Sequence, residues 1–390
     1  MKTLSIIVIV VICFLLIGAI GIISVNSNAN FSAIQSEKEV IRVGGLFSLT
    51  GTTAFSGNPE ARFAQLAIDE INQNGGINGK QIEFILEDDK CDAKEAITVA
   101  TKLMEQDYVK FILGPSCSPA TAAVAPITNE HKVVIIAASS VAKNIFQGKG
   151  YSFRASPEVT VPAQLQALQT INSKHLTKVA IISELSNFPK SWSDDFEEEY
   201  VQLGGKITKR IDFTSNETNF RTALQQISNS NPGGVFISTL GPAAAVQIIK
   251  QINELGLNDE VVLLGNHTST DNAVNEGLGG LMPESMFTIV PYSSDANLLS
   301  KYVAKYGEEP SFEYFYTAAM YDAVYLLKDA ITFCGEDTTC VENYLKNPNL
   351  NFKGQVAEWN FDLNGNPLFS KEVYRERRIV GGVKIYYLIN

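Results

Sequence analysis

Short apolar segments alternate with amphipathic segments along most of this chain. The first β-branched apolar runs predict strands at 41–47, 81–87, 110–113 and 133–137. Between them, apolar residues recur with helical spacing at 59–73, 93–106 and 119–130. Continuous apolar runs are typical of strands buried on both faces of a parallel sheet. The alternation therefore predicts a doubly wound α/β architecture.

The same alternation restarts at residue 178, after an irregular join near residues 155–157. It predicts strands at 178–183, 206–213, 234–238 and 261–264, with helices at 191–203, 219–228 and 243–255. Two Rossmann-like lobes fit this restart better than one very wide sheet. The last third predicts a strand at 287–290 and helices at 297–306 and 314–333. Alternating segments at 356–361 and 372–387 then predict antiparallel strands.

Composition and charge narrow the function classes. The 390 residues are 45% hydrophobic and 19% charged, as in ordinary globular proteins, and length alone predicts two or three domains. The net charge of −11 and the absence of a Lys/Arg stripe in the sequence argue against binding to nucleic acid. The same charge argues against binding to an anionic membrane surface.

An uncharged apolar run from Leu4 to Val25 follows Lys2 at the N-terminus. Its 22 residues are long enough to cross a bilayer as a helix, so we favour an uncleaved membrane anchor. A signal peptide cleaved after Ala29 is the alternative. Either way, the positive charge before the run predicts that the rest of the chain is extracytoplasmic, at the cell surface or in a periplasm. Residues 26–38 are polar and predict a tether.

Cysteine usage fits an oxidising compartment. Four cysteines follow the apolar run, an even number that suggests two disulfides. Cys334 and Cys340 are six residues apart and favour a local bridge, which leaves Cys91 to pair with Cys117. Buried free thiols at Cys91 and Cys117 are the alternative. No histidine is spaced with the cysteines as in a zinc site, so we expect neither a metal nor a cofactor.

Several segments carry a family resemblance. They are Ile41-Arg-Val-Gly-Gly-Leu-Phe-Ser-Leu-Thr-Gly51, Asp69-Glu-Ile-Asn-Gln-Asn-Gly-Gly-Ile-Asn-Gly79, Glu87-Asp-Asp-Lys-Cys91, Gly114-Pro-Ser-Cys-Ser118, and the Tyr-Asp-Ala helix around Asp322. In order and spacing, the chain resembles the leucine/isoleucine/valine-binding proteins, which are substrate-binding proteins of ABC importers. The resemblance covers about residues 40–390 and is strongest before residue 140.

The resemblance implies a type I periplasmic binding protein fold, in which a multi-crossover hinge joins two lobes. It places residues 39–156 and 288–345 in the first lobe, and residues 157–287 and 346–390 in the second. It also implies that the lobes close over an amino acid or similar small carboxylate and deliver it to ABC-transporter permease subunits. A ligand-sensing receptor domain without transport is the alternative.

Ser118 is the sharpest candidate for ligand binding, and the adjacent Cys117 is a further candidate. Ser118 stands between Cys117 and Pro119, and reads as the N-cap of a helix whose exposed N–H groups attract anions. The resemblance implies that Ser118 binds the ligand carboxylate, whereas a serine that only caps its helix is the alternative. Ser139 and Ser140 follow the next strand, at the sheet edge where such folds bind ligands.

Three positions depart from the family pattern. Val141 stands where a ligand-binding threonine is implied, although a shift of one residue would give that role to Ser140. Phe188 replaces the tyrosine that closes over the ligand. His267 replaces the carboxylate that holds the ligand ammonium, and Asp271 reads as the cap of the following helix.

Enzyme function is not expected. Ser140-Val-Ala-Lys143 matches a Ser-x-x-Lys motif, but the sequence has no partner motif for it, and only three histidines are present. An extracytoplasmic enzyme is therefore the weakest alternative. Asp88 and Asp89 read as a solvated strand end, and Asp322 as a structural hydrogen-bond acceptor within its helix.

Overall fold

The computed structural model describes residues 39–258, 260–293, 295–368 and 373–389. The predicted anchor or signal peptide and its tether, residues 1–38, lie outside the described residues. Across the described ranges, no helix combines the length and apolar character needed to cross a membrane. From Ile41 onward the chain forms one compact unit, which contains two separate main sheets.

The first sheet has five strands in the order β2-β1-β3-β4-β5. Their bounds are β1 Val40–Phe47, β2 Gln81–Asp88, β3 Phe111–Leu113, β4 Val134–Ala137 and β5 Ser152–Arg154. The strands β1, β3, β4 and β5 pair in parallel, for example with Ile112 opposite Ile135. Every residue of β3 and β4 is buried, as the apolar runs predicted.

Six helices accompany the first sheet and form the first lobe with it. They are α1 Ala54–Gln73, α2 Ala93–Glu105, α3 Ser118–Glu130, and later α9 Ala296–Tyr306, α10 Tyr314–Cys334 and α11 Thr338–Leu345. The long helix α10 packs along α1, and Phe63 of α1 contacts Tyr302 of α9 with ring centroids 4.4 Å apart. The chain therefore returns to the first lobe after building most of the second.

The second sheet has seven strands in the order β14-β13-β10-β9-β8-β6-β7. Their bounds are β6 Lys178–Glu184, β7 Lys206–Phe213, β8 Gly234–Ser238, β9 Val262–Gly265, β10 Phe287–Pro291, β13 Tyr374–Val380 and β14 Val383–Leu388. The pairs from β7 through β10 are parallel, whereas β10–β13 and β13–β14 are antiparallel.

The helices of the second lobe are α4 Thr160–Asn172, α5 Asn187–Gln202, α6 Arg221–Ser228, α7 Pro242–Glu254 and α8 Asn272–Gly277. Helices α4 and α5 pack against each other. Gln166 of α4 donates through its amide to the carbonyls of Gly265 and Phe287, so this helix is fixed to the ends of two strands. The two-lobed α/β class expected from the sequence is therefore present.

Two lobe boundaries differ from the expectation. The expected first lobe includes residues from 288 onward, and thus most of strand β10. The strand instead pairs with β9 and β13 in the second sheet, where all five of its residues are buried. Residues 352–361 were assigned to the second lobe, yet they contact the first. The short strands β11 Phe352–Lys353 and β12 Glu358–Trp359 pair with each other.

Asp322 of α10 explains the position of this hairpin. Its carboxylate accepts hydrogen bonds from the N–H groups of residues 355–357 and from the indole N–H of Trp359. Gly354 lies so close to this carboxylate that a Cβ there would stand 2.1 Å from an oxygen of Asp322. The structural role expected for Asp322 is confirmed, and it holds the hairpin on the first lobe.

Candidate functional site

The carboxyl ends of strands from both sheets meet at one small cavity of about 30 Å³. The segments after β1, β3 and β4 and the segment before α10 supply its first-lobe lining, which consists of Thr53, Phe55, Ser56, Ser116, Cys117, Ser118, Ser139 and Phe312. The segments after β6, β8 and β9 supply its second-lobe lining, which consists of Phe188, Leu240, His267 and Thr268. The cavity is therefore bounded by both lobes.

Helix α3 begins at this cavity, but its N-cap is not the residue expected. Cys117 occupies the N-cap with extended backbone angles (φ −124°, ψ 146°), and Ser118 is the first helical residue. Cys117 makes no side-chain cap, so the first N–H groups of the helix keep their capacity to bind an anion. The Ser118 hydroxyl accepts a hydrogen bond from the N–H of Ala142 (3.1 Å), which joins α3 to the segment after β4.

A disulfide anchors this helix start. Cys91 and Cys117 are bonded with their Cα atoms 5.7 Å apart, so the bridge joins the segment after β2 to the N-cap of α3. The second disulfide joins Cys334, at the end of α10, to Cys340 in α11. Both bridges follow the pairing that the sequence favoured.

Of the three neighbouring candidates after β4, only Ser139 lines the cavity. The Ser140 hydroxyl is 2.6 Å from the hydroxyl of Thr121 and also donates to the carbonyl of Pro115, so Ser140 joins two segments of the first lobe. Val141 is 1% exposed and its carbonyl accepts the N–H of Val159. Neither Ser140 nor Val141 belongs to the lining, and the structure gives both a packing role.

Aromatic rings surround His267 on the second-lobe side. Its imidazole stacks on Phe188, with ring centroids 4.7 Å apart and planes 27° apart. Phe312 and Tyr316 approach from the first lobe at 5.4 and 4.8 Å, and Trp192 at 5.2 Å. Burial, together with the positive charges of Arg377 and Lys384, holds the pKa of His267 well below its usual value. The imidazole is therefore neutral at pH 7.

A buried ion network lies behind His267. Arg377 donates to the carbonyl of His267 (2.8 Å) and to Glu313 (2.6 Å), while Asp271 lies 3.5 Å from Arg377 and 3.2 Å from Lys384. Burial alone would raise the pKa of Glu313, but the charges of Arg377 and Lys384 lower it. The network has two cations and two anions, so it supplies no net negative charge to the cavity.

Two carboxyl groups lie buried under the first-lobe side of the cavity. Glu60 accepts long hydrogen bonds from the N–H groups of Ala138 (3.3 Å) and Ser139 (3.4 Å), and burial raises its pKa to about 8. Asp89 accepts from the Ser48 hydroxyl (2.7 Å), and burial raises its pKa to about 6. The expectation of a solvated strand end was therefore wrong for Asp89, because the side chain is buried against Ser48, which follows β1, and against the disulfide loop at Cys91.

The two lobes touch across the cleft. Lys143 of the first lobe forms an ion pair with Asp195 of the second (2.7 Å). Glu313, which precedes α10, pairs with Arg377 of β13. Asp271 caps α8 through the N–H of Ala273, as expected from the sequence, and belongs to the same network. These contacts hold the lobes closed over a cavity of about 30 Å³, which has room for about two water molecules, so a solute of amino-acid size requires the lobes to move apart.

The sequence pointed to five of the lining residues and missed seven. Thr53, Phe55, Ser56 and Ser116 follow the ends of β1 and β3, so the rule that ligands bind at strand carboxyl ends would have found them. The same rule applies to Leu240 and Thr268. Phe312 had no local signal, because it comes from a connecting segment that reaches the cavity only through tertiary packing.

A larger cavity of about 520 Å³ lies beside Tyr292, Asp295, Glu313, Lys384 and Tyr386. It shares Phe312 with the small cavity and is also lined by Glu313 and Lys384 of the ion network, but it lies where the chain crosses between lobes, away from the carboxyl ends of β1, β3 and β4. We therefore place the candidate site at the small cavity. Among the described residues, no group of three or more His, Cys, Asp or Glu side chains is arranged to hold a metal ion.

Comparisons with known proteins agree with the two-lobed fold. The chain is 27% identical over 352 residues to a Leu/Ile/Val-binding protein homolog of Brucella abortus, covering 87% of this chain and 90% of that one. The structure superposes on the isoleucine complex of the branched-chain amino acid transporter substrate-binding protein LivJ from Streptococcus pneumoniae. The TM-score is 0.79 and the identity 24%, with 90% of this chain and 99% of that chain covered.

A solute-binding protein of an ABC transporter from R. palustris, in complex with benzoate, has the same fold. It superposes with a TM-score of 0.76 at 21% identity, covering 89% of this chain and 95% of that one. The sequence pattern of the periplasmic binding proteins matches residues 40–361, most of the chain. The chain therefore belongs to the periplasmic binding protein family, a family of binding proteins and not of enzymes.

Proposed function

We propose that this protein is the extracytoplasmic solute-binding subunit of an ABC importer and that it captures an amino acid or similar small carboxylate between its two lobes. The observation that carries the proposal is the cavity lined from both lobes, with the free N-terminus of α3 and the hydroxyls of Ser118 and Ser139 on one side. Relatives of the same fold bind isoleucine or benzoate, and both ligands carry a carboxylate.

The mechanism is hinge closure. A carboxylate placed against the start of α3 accepts hydrogen bonds from backbone N–H groups and meets the positive end of the helix dipole. Closure of the second lobe then brings Phe188, Leu240 and His267 over the apolar part of the solute. Closure also excludes water, which strengthens each of these polar contacts. The closed form is the one that a permease would recognise.

Ser118→Ala tests the carboxylate site. Removing a hydroxyl that bonds to a charged ligand costs about 1.5–3 kcal/mol, so the affinity for a bound carboxylate should fall by about ten-fold or more. The measurement is calorimetric titration with the best ligand from a thermal-shift panel of amino acids, aliphatic acids and aromatic acids. Native mass spectrometry of the protein as purified adds any co-purified solute to that panel.

Thr128→Val is the matched control. Thr128 lies in the same helix α3 and is fully buried, and among the described residues its hydroxyl donates only to the carbonyls of Val124 and Ala125 in that helix. This substitution should lower stability but leave the affinity unchanged. Equal affinities of the wild type and Ser118→Ala would refute the carboxylate site. A panel in which neutral solutes bind and carboxylates do not would refute the proposed ligand class.

A further inference from the structure

The lining of the candidate cavity lacks a group that an amino-acid ligand needs. None of its described residues is an acid, and its one titratable side chain, His267, is neutral. In an α-amino acid, only the α-carbon separates the ammonium group from the carboxylate. If the carboxylate lies at the start of α3, the ammonium must also lie within this lining.

The carboxyl groups around the cavity are bonded to other groups or protonated. Asp89 accepts the Ser48 hydroxyl (2.7 Å) and the N–H of Cys91 (2.8 Å) and does not line the cavity. Glu184 accepts the N–H of Leu240 (2.8 Å) and does not line the cavity. Glu60 lies beneath Ser139, is fully buried, and keeps its proton at neutral pH. Asp271 and Glu313 are paired with Arg377 and Lys384 behind the His267 backbone. An ammonium in the cavity would thus be desolvated without a counter-charge, which is strongly unfavourable.

The surroundings of His267 suit the apolar body of a carboxylate ligand. Its imidazole fills the second-lobe side between Phe188 and Phe312, and Phe55 packs edge-on against Phe312 at 5.2 Å. Three buried polar atoms of the lining, the hydroxyl oxygens of Thr53 and Ser139 and Nδ1 of His267, have no hydrogen-bond partner among the described residues. Each can donate to a neutral or anionic oxygen atom of a ligand, Nδ1 in the tautomer that carries its proton.

We propose that His267 makes this site select carboxylates that have an apolar body and lack an α-ammonium, and reject the corresponding amino acids. The inference rests on the proposed function, because it assumes that the start of α3 holds a carboxylate. His267 acts as a specificity-determining residue: the imidazole provides aromatic contact and a neutral hydrogen-bonding atom, but no negative charge.

Matched ligand pairs test this selection. The probes are 3-phenylpropionate against L-phenylalanine and 4-methylpentanoate against L-leucine, and the members of each pair differ in the ammonium. Glycine betaine is added because aromatic side chains attract quaternary cations. Titration calorimetry with the full-length protein should show that at least one acid without the ammonium binds ten-fold or more tightly than its amino-acid partner and than glycine betaine.

His267→Glu supplies the missing charge and should reduce that ratio by ten-fold or more, whereas the neutral His267→Gln should keep it. If His267→Glu does not fold, Thr268→Glu places the acid at the next lining position. The inference is overturned if amino acids or glycine betaine bind as tightly as the acids without an ammonium. It is also overturned if a folded glutamate variant keeps the wild-type ratio of the two affinities. Either result leaves the proposed function standing. Failure of every carboxylate to bind, with or without an ammonium, would overturn the proposed function as well.

Discussion

The carboxyl group of Glu60 carries a proton at neutral pH although it lies under a carboxylate site. Burial raises its pKa to about 8, and the N–H groups of Ala138 and Ser139 offset this only in part. A proton on Glu60 removes one negative charge from beneath the cavity. An ionised Glu60 would repel a ligand carboxylate, so the proton supports the proposed anion site.

This proton predicts a pH dependence of stability. The unfolded chain loses it near the ordinary value of 4.5, but the folded protein keeps it to about 8. The protonated Glu60 side chain therefore contributes fully to stability below pH 4.5, and this contribution is lost as the pH rises to 8. When the pH is raised from 5 to 8, the unfolding free energy of Glu60→Gln should therefore rise by on the order of 3 kcal/mol relative to that of the wild type. Denaturant titrations at these two pH values measure the gain.

Glu70→Gln is the control on the same helix. Burial would raise the pKa of Glu70, but hydrogen bonds from Tyr321, Lys301 and Tyr325 lower it below its usual value. The ionised Glu70 side chain stabilises the folded protein at neutral pH, and this stabilisation is lost only on acidification. Relative to wild type, the unfolding free energy of Glu70→Gln should therefore not rise between pH 5 and pH 8. Asp89 is present in all three proteins, and its charge contributes to the raised pKa of Glu60. A Glu60→Gln variant with the wild-type pH profile would refute the buried proton.

At the scale of elements, the N-cap of α3 depends on a covalent bridge. Replacing Cys91 and Cys117 by alanine opens a loop with a sequence separation of 26 residues and should lower the unfolding free energy by about 3 kcal/mol. The change should also weaken carboxylate binding several-fold, because Cys117 positions the start of α3 at the cavity. Chemical denaturation and calorimetric titration measure the two effects.

The second disulfide provides the comparison. Cys334 and Cys340 close a sequence separation of six residues, far from the cavity lining, so their replacement should cost about 2 kcal/mol and leave affinity unchanged. If both double variants bound ligand equally well, the bridge at Cys117 would have no role in shaping the site.

The elements that the sequence predicted well share a physical cause. Strands such as β3 and β4 are buried on both faces, so a short apolar run suffices to mark them. The missed helix α4 contains Pro162 and begins after Val159, which provides no side-chain cap. Packing on α5 and the strand contacts of Gln166 hold it in place, and these are tertiary interactions that local patterning does not contain.

The site shows the same division. Ser118, Ser139, Phe188 and His267 follow strands, and strand ends in a parallel sheet meet at one edge, so the sequence could place them. The role of Ser140 could not be predicted, because its hydroxyl bonds to Thr121, which is close only in the folded lobe. Likewise, Phe312 and the pairing of Arg377 with Glu313 depend on where the chain crosses between lobes.

For the whole molecule, closure requires a glycine at the cleft. Gly241, at the start of α7, faces Thr52 of the first lobe, and a Cβ on Gly241 would lie 2.2 Å from Cγ2 of Thr52. The backbone of Gly241 (φ −129°, ψ 165°) is open to any residue, so alanine there causes no local strain. Its added methyl group obstructs only the approach of the two lobes.

Gly241→Ala should therefore favour the open form and lower the affinity for the best carboxylate by about ten-fold or more, with little change in the melting temperature of the ligand-free protein. Adding Thr52→Ser to this variant removes Cγ2 and should restore most of the affinity, although the Thr52 carbonyl, 3.2 Å from the added Cβ, remains close. Thr52→Ser alone should bind like wild type. If Gly241→Ala bound ligand with wild-type affinity, the close approach of Gly241 to Thr52 would not be part of the ligand-bound form.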